Sequence, residues 1–303
     1  MATHVRGCVD GCRSGWIAVA LDSGRFAGAS YFDTFAELID ACADAAVIGV
    51  DIPIGLVSDG DRACDDLTRQ FVGPRHRSVF GAPDRDEVIR DAESPDDSEL
   101  SDADRRQRKS AQALRAKILE VDVLIRNHTP PPLALAAVAR AAVARGRVEP
   151  ESSDPPPASS GRRKHGRHAV FRGTDDRASL RRFARIINPS NQPKRPADGP
   201  IAYPGGRIIE VHPEASFCEL VGKPLEHSKK SWNGMMQRMR ALEAAGISVP
   251  TELGEIGGVA VDDVLDAAAV AWTANRYAEH RARSLPPREL WQHDGHRVIA
   301  IWI

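Results

Sequence analysis

The sequence predicts an α/β fold with a mixed central sheet in the order β-β-β-α-β-α-β-α, flanked by helices and carrying a long helical and disordered insertion. Two observations predict it. Apolar runs of strand length are separated by stretches of helical periodicity, and the run around Val47, Ile48 and Val50 is as densely apolar as a strand covered on both faces requires. At 303 residues, 42% hydrophobic and 27% charged, the chain has enough apolar material for a sizeable core. One domain over 1–303, interrupted by an insertion at about 129–205, accommodates that length.

Taken in order, Val5 to Asp10 is an apolar run closed by an acid, Gly11-Cys12-Arg13-Ser14-Gly15 is a turn, and Trp16 to Leu21 is a second run. Together they read as a β-hairpin. Ser23-Gly24 marks another turn, Ala29 to Phe32 a third strand, and Thr34 the N-cap of a helix with apolar residues Phe35, Leu38, Ile39 and Cys42. Val47 to Ile52 is the fourth strand, closed by Pro53 and Gly55. Asp61 to Phe71 reads as helix, and Asp84 to Asp104 as an acidic, mobile loop leading into a helix through Leu114, Ile118, Val121, Leu124 and Ile125. Leu133 to Val143 adds an alanine-rich helix, after which Glu149 to Pro200 turns to Pro, Ser, Arg and Gly, the composition of a disordered segment. A strand at Arg207 to Val211, helices at Glu214 to Leu220 and Ser231 to Ala245, a long helix from about Asp262 to Arg283 and a terminal strand at His296 to Trp302 complete the chain.

Several function classes are disfavoured. A net charge of −1 and a pI of 6.8 lack the basic field of many nucleic-acid binders, leaving only local patches. Aromatic residues make up 5%, too few for rows of stacking rings. Five cysteines, Cys8, Cys12, Cys42, Cys64 and Cys218, include no CxxC pair and suggest buried thiols. With no apolar membrane-length window and no signal core behind Met1 to Arg6, a cytoplasmic location is expected. There is no GxxxxGK[ST] loop, HExxH helix or GxSxG elbow.

The carboxylates fall where solvated charge seldom does. Asp10 and Asp51 end the first and fourth strands, Glu210 lies in the late strand, and Asp262, Asp263 and Asp266 open an alanine-rich helix. If the first and fourth strands are neighbours, Asp10 and Asp51 stand side by side, a repulsion that a divalent cation relieves. Asp263 and Asp266, at i and i+3, share a helix face. The plainer reading is that Asp262 and Asp263 cap the helix and complement its dipole, whereas Asp266 lies too deep to cap.

Six segments carry a resemblance: Gly7 to Trp16, Val50 to Leu56, Arg75 to Phe80, Lys117 to Asp122, Glu210-Val211-His212-Pro213-Glu214 and Asp263-Val264-Leu265-Asp266-Ala267-Ala268. In this order they resemble the DUF429 family, described as predicted nucleases of the ribonuclease H fold. The likeness to that ribonuclease H-like class, and to its RuvC-like resolvases, implies a site in which Asp10, Asp51, Asp263 and Asp266 hold Mg²⁺ or Mn²⁺. A pair of such ions activates water for phosphodiester hydrolysis. Glu210 is a further candidate acid, with pairing to an Arg or Lys as its alternative, and His212 a candidate general acid/base, with a role as strand terminator as its alternative. Arg13, Arg75, Arg77, Lys229 and Lys230 are candidate phosphate contacts, though Arg13 has Asp51 as an alternative partner. The basic stretch Arg162 to His168 reads more simply as solubilising charge. The chain departs from the family in its long insertion and in Ser110-Ala111-Gln112-Ala113-Leu114, where a Gln-Ala-Trp stretch is expected.

The expected function is therefore a metal-dependent nuclease or phosphodiesterase acting on DNA or RNA. The rivals are a non-catalytic nucleic-acid or protein binding module on the same fold and, further off, an actin-like phosphotransferase, which shares the opening hairpin with its Asp.

Overall fold

The computed structural model describes residues 4–12, 15–43, 45–58, 60–86, 88, 102–125, 202–203, 206–254, 256, 259–295 and 297–303, without the side chains of 4–12, 102–112, 202–203 and 206–207. The expected helix at Leu133 to Val143, the expected disorder at Glu149 to Pro200, Arg13 and the Arg162 to His168 stretch lie outside these residues, as does the side chain of Asp10.

Strands β1 (His4–Cys12), β2 (Gly15–Asp22) and β3 (Arg25–Phe32) form an antiparallel meander. The first two run into the expected turn, with a register shift between Val9 and Cys12. Thr34 caps α1 (Phe35–Ala41), its hydroxyl accepting from the Glu37 N–H at 3.2 Å. The chain then enters β4 (Val47–Val50) and reaches α2 (Ala63–Val72), a 3₁₀ turn over Gly73–Ser78 and α3 (Asp102–Ile125). Strands β5 (Ala202–Tyr203) and β6 (Gly206–Val211) follow as a short hairpin, so the last residues of the expected insertion join the sheet. Helices α4 (Pro213–Val221), α5 (Trp232–Ala244) and α6 (Val261–Ala278) precede β7 (Ser284–Leu285), β8 (Gln292–Asp294), β9 (Arg297–Ile299) and β10 (Ile301–Trp302).

The protein is α/β, its mixed sheet ordered β3-β2-β1-β4-β6-β10-β7 with β5 on β6. Strands β1, β4, β6 and β10 run parallel, so their C-terminal ends share one edge. Strand alternation sends Ala18, Ile48, Val50 and Ile208 to one face, in a core with Phe35, Leu38 and Ile118 of α1 and α3. Ile17, Val47, Ile209 and Val211 face the other way and pack with Val264, Ala268 and Ala271 of α6. Glu120 ties α3 to α1 and to β2, accepting from the Phe35 N–H at 2.5 Å and Trp16 Nε1 at 3.2 Å.

Helix α6 lies close on the sheet. A Cβ at Gly49 would stand 2.8 Å from Val270 Cγ1, so only glycine admits this approach. That contact fixes the site's level: Asp266 lies one turn before Val270, about 6 Å along the helix at 1.5 Å per residue. Asp51 lies two residues beyond Gly49, about 6.6 Å along the strand. Both therefore arrive at the C-terminal edge of the parallel strands.

Two expectations are corrected. The last helix ends at Ala278 rather than at Arg283, because buried apolar residues stop there and His280 takes a left-handed turn (φ 59°). His296 to Trp302 is not one strand: β9 pairs with β8 in a separate two-stranded sheet, and after Ala300 β10 joins the main sheet beside β6. The switch is anchored by Arg297, whose Nη1 donates to Asp122 Oδ1 at 2.9 Å, so the apparent alternation spans two sheets. Among the described residues no helix is long and apolar enough to cross a membrane.

Candidate functional site

The edge where β4 and β6 end is built by three segments: Asp51 just beyond β4, the first turns of α6, and the loop before α5. Asp262, Asp263 and Asp266 are all buried in α6. The N-cap of that helix is Ala260, without a side-chain bond, so neither Asp262 nor Asp263 fills the cap position. Asp262 instead takes Lys230 Nζ at 2.6 Å, and Asp266 Oδ2 takes Lys229 Nζ at 2.5 Å. Lys229 is also 3.7 Å from Asp262 Oδ2. Burial works against its charge, but Asp266, Asp51 and Asp262 together hold its pKa above the ordinary lysine value.

The lysine loop is pinned. Ser231 caps α5, its hydroxyl accepting from the Gly234 N–H at 3.1 Å and donating to Ser228 O at 2.7 Å. A Cβ on Gly234 would lie 1.8 Å from Ser228 O, so glycine alone lets the loop fold back on the helix. From within α5, buried Arg238 donates to His227 O at 3.3 Å and meets Glu214 of α4 at 2.6 Å.

The carboxylates remain undercompensated. Burial, then repulsion from Asp262, pushes Asp263 up to about 6 against the pull of Lys230 and Lys229. Burial also raises Asp266, with Lys229 opposing, and its Oδ1 is buried without a hydrogen-bond partner. Asp10 reaches the same edge by its backbone: Cys8 is in register with Val50, which puts Asp10 two residues past that pair and Asp51 one.

The other sequence candidates divide. Glu210 shares strand parity with Ile208 and so faces away from α6, where Arg62 binds it and the Ile54 N–H donates to it at 2.7 Å. Burial pushes it up to about 7, against the pull of Arg62. Cys64, Asp65 and Glu210 offer ligand atoms within 4.8 Å of one another, a group able to hold a metal. The Arg62 guanidinium already supplies positive charge there, and burial pushes the Cys64 thiol up. His212 is the N-cap of α4: its Nδ1 accepts from the Ala215 N–H at 3.4 Å, so Nε2 carries the proton and donates to Ser78 O at 3.1 Å. Burial accordingly lowers its pKa. Arg75 spans to Leu225 O at 2.9 Å and Glu214 at 3.6 Å, while Arg77 is exposed. Phe80 and Trp232, 72% and 71% exposed, follow within two residues of Ser78 and Lys230 respectively.

The Glu214–Arg238 pair was not foreseen, and Glu210 takes the alternative given for it, pairing with an arginine, with Arg62 as the partner. Arg62, the N-cap of α2, and Asp65 in its first turn were the local cue, and Glu210 joins them from far along the chain.

The molecule is thus an α/β protein with a carboxylate and lysine cluster at the C-terminal edge of its parallel strands. Its sequence matches the family described as Protein of unknown function (DUF429) over residues 8–138 and 197–290, and the chain belongs to that family. The matched stretches include every residue of the cluster. No curated protein and no solved structure matches it.

Proposed function

We propose that the protein is a metal-dependent nuclease or phosphodiesterase of ribonuclease H-like fold, with DNA or RNA as its substrate. The observation that carries this reading is the meeting of Asp51 with Asp263 and Asp266 at one sheet edge, around Lys229. The element order supports the fold assignment: an antiparallel three-stranded meander, then β4 and β6 parallel to β1, with α6 closing over them.

The residues fit a hard divalent cation. Asp266 Oδ1 is a buried oxygen lacking a partner, and Asp263 carries a charge that burial and Asp262 both disfavour. An oxygen-seeking ion relieves both, and Mg²⁺ and Mn²⁺ are of that kind. Asp51, Asp263 and Asp266 would hold it, with Asp10, one position further along the neighbouring strand and past the register shift after Val9, as the further candidate. When bound, the ion supplies Lewis-acid charge to a phosphoryl oxygen and acidifies a water. The chain's own groups do the rest. Lys230 and Arg77 offer positive charge to phosphates, exposed Phe80 and Trp232 offer faces to bases, and His212 positions the 3₁₀ turn that leads to Phe80.

The test is cleavage by the purified protein of single-stranded, duplex and branched DNA and RNA, in Mg²⁺, Mn²⁺ or EDTA, beside Asp51→Asn and Asp263→Asn. Metal-dependent cleavage lost in both variants is expected. Metal-dependent thermal stabilisation without cleavage of any substrate would favour the binding module instead.

A further inference from the structure

We propose that Lys229 occupies one cation position of the acid cluster, so that the site takes a single divalent ion beside this ammonium group rather than a pair of ions. The inference rests on the metal-dependent reading above and specifies its cation set.

Lys229 Nζ makes the contacts a second metal would make. It is 2.5 Å from Asp266 Oδ2 and 3.7 Å from Asp262 Oδ2, and within electrostatic range of Asp51. It is also placed in advance: the Ser231 cap, the Arg238 bond to His227 O and the Gly234 approach to Ser228 fix the loop on both sides of it. A lysine so held differs from a surface lysine that drifts onto the nearest acid. Asp266, only 2% exposed, divides its two oxygens: Oδ2 is taken by the lysine, and Oδ1 is buried without a partner. Among the described residues Asp263 forms no ion pair, so it and Asp266 Oδ1 remain for an ion.

Charge points the same way. The Lys229 ammonium stands on Asp266 and within reach of Asp262 and Asp51, and Lys230 stands on Asp262, so part of the cluster's negative charge is already met before any ion enters. A pair of ions would have to displace the Lys229 ammonium from a carboxylate oxygen that it already serves.

The experiment is Mn²⁺ titration by calorimetry of the full-length wild type, Lys229→Met and Lys229→Arg. We expect one tightly bound Mn²⁺ in the wild type and in Lys229→Arg, and two in Lys229→Met, where the vacated position accepts an ion. Two ions in the wild type, or one in a folded Lys229→Met, would overturn the assignment while leaving the metal-dependent reading intact. No binding in any of the three would remove that reading and this inference with it. If Lys229→Met does not fold, the wild-type stoichiometry still decides.

Discussion

Arg238 and Glu214 meet at 2.6 Å with both side chains buried, joining α5 to α4 beneath the loop that carries Lys229. The same guanidinium donates to the backbone oxygens of His227 and Gly234, at 3.3 Å and 3.2 Å. One residue therefore connects the helix that follows His212 to the loop that delivers the lysine to Asp266.

Removing either partner leaves the other charge buried and uncompensated. Arg238→Met should lower stability by about 3–5 kcal/mol, read by urea denaturation. Glu214→Leu combined with Arg238→Met should lose less than the two single changes added, since the pair is lost together. Strict additivity in that cycle would mean that the two groups do not interact.

Asp263 sets a pH dependence for the metal-free protein. Its folded-state value of about 6 exceeds the ordinary 3.8, so the folded chain binds the proton more readily than the unfolded one. Its contribution is then full below the unfolded value and is lost as pH rises through about 6. Asp263→Asn in EDTA should be more stable than the wild type at pH 8, by on the order of 1 kcal/mol given about 1.4 kcal/mol per unit and partial screening by the lysines. The advantage should close as the pH falls toward 4. Thermal melts at both ends decide, and an equal difference at each would rule out Asp263 as the source.

The fold was legible where each residue's neighbours lie close in sequence. Thr34 before Phe35 announced its cap, and the apolar run at Val47, Ile48 and Val50 announced a strand covered on both faces. Pairing across long separations was not legible. Glu210 read as a site acid because its strand position matched the others, but one-residue parity turned it toward Arg62 and away from α6. The terminal alternation misled for a related reason: period two reports which face a residue takes, not which sheet it joins, and Ala300 divides two sheets. Lys229 and Lys230 were visible as charges, and only the folded loop shows that they meet Asp266 and Asp262.

Phe80 and Trp232 lie exposed rather than in the core, two residues after Ser78 and Lys230 respectively. If the substrate is a nucleic acid with unpaired bases, Trp232→Ala and Phe80→Ala should each weaken single-stranded oligonucleotide binding by about 1–3 kcal/mol. Fluorescence anisotropy in EDTA, which prevents cleavage, measures it. Leu290→Ala, an exposed apolar residue in the turn after β7 at the far edge of the sheet, is the control. Equal affinity in all three variants and the wild type would remove the rings from the substrate surface.

His212 is the remaining test of how the site is divided between chemistry and scaffold. Both ring nitrogens are engaged, Nδ1 by the Ala215 N–H and Nε2 by Ser78 O, so its free proton-transfer capacity is small. Asparagine is also a good N-cap, so His212→Asn should keep α4 capped, within about 1 kcal/mol, and lose only the link to Ser78. The lowered histidine pKa means that its stabilisation is present above the unfolded value and lost as pH falls, the reverse of Asp263. The variant should therefore unfold less steeply with acid than the wild type. In cleavage assays it should show a raised KM with an unshifted pH profile, because the ring positions the turn before Phe80. Loss of one limb of the profile would instead make His212 the general acid or base.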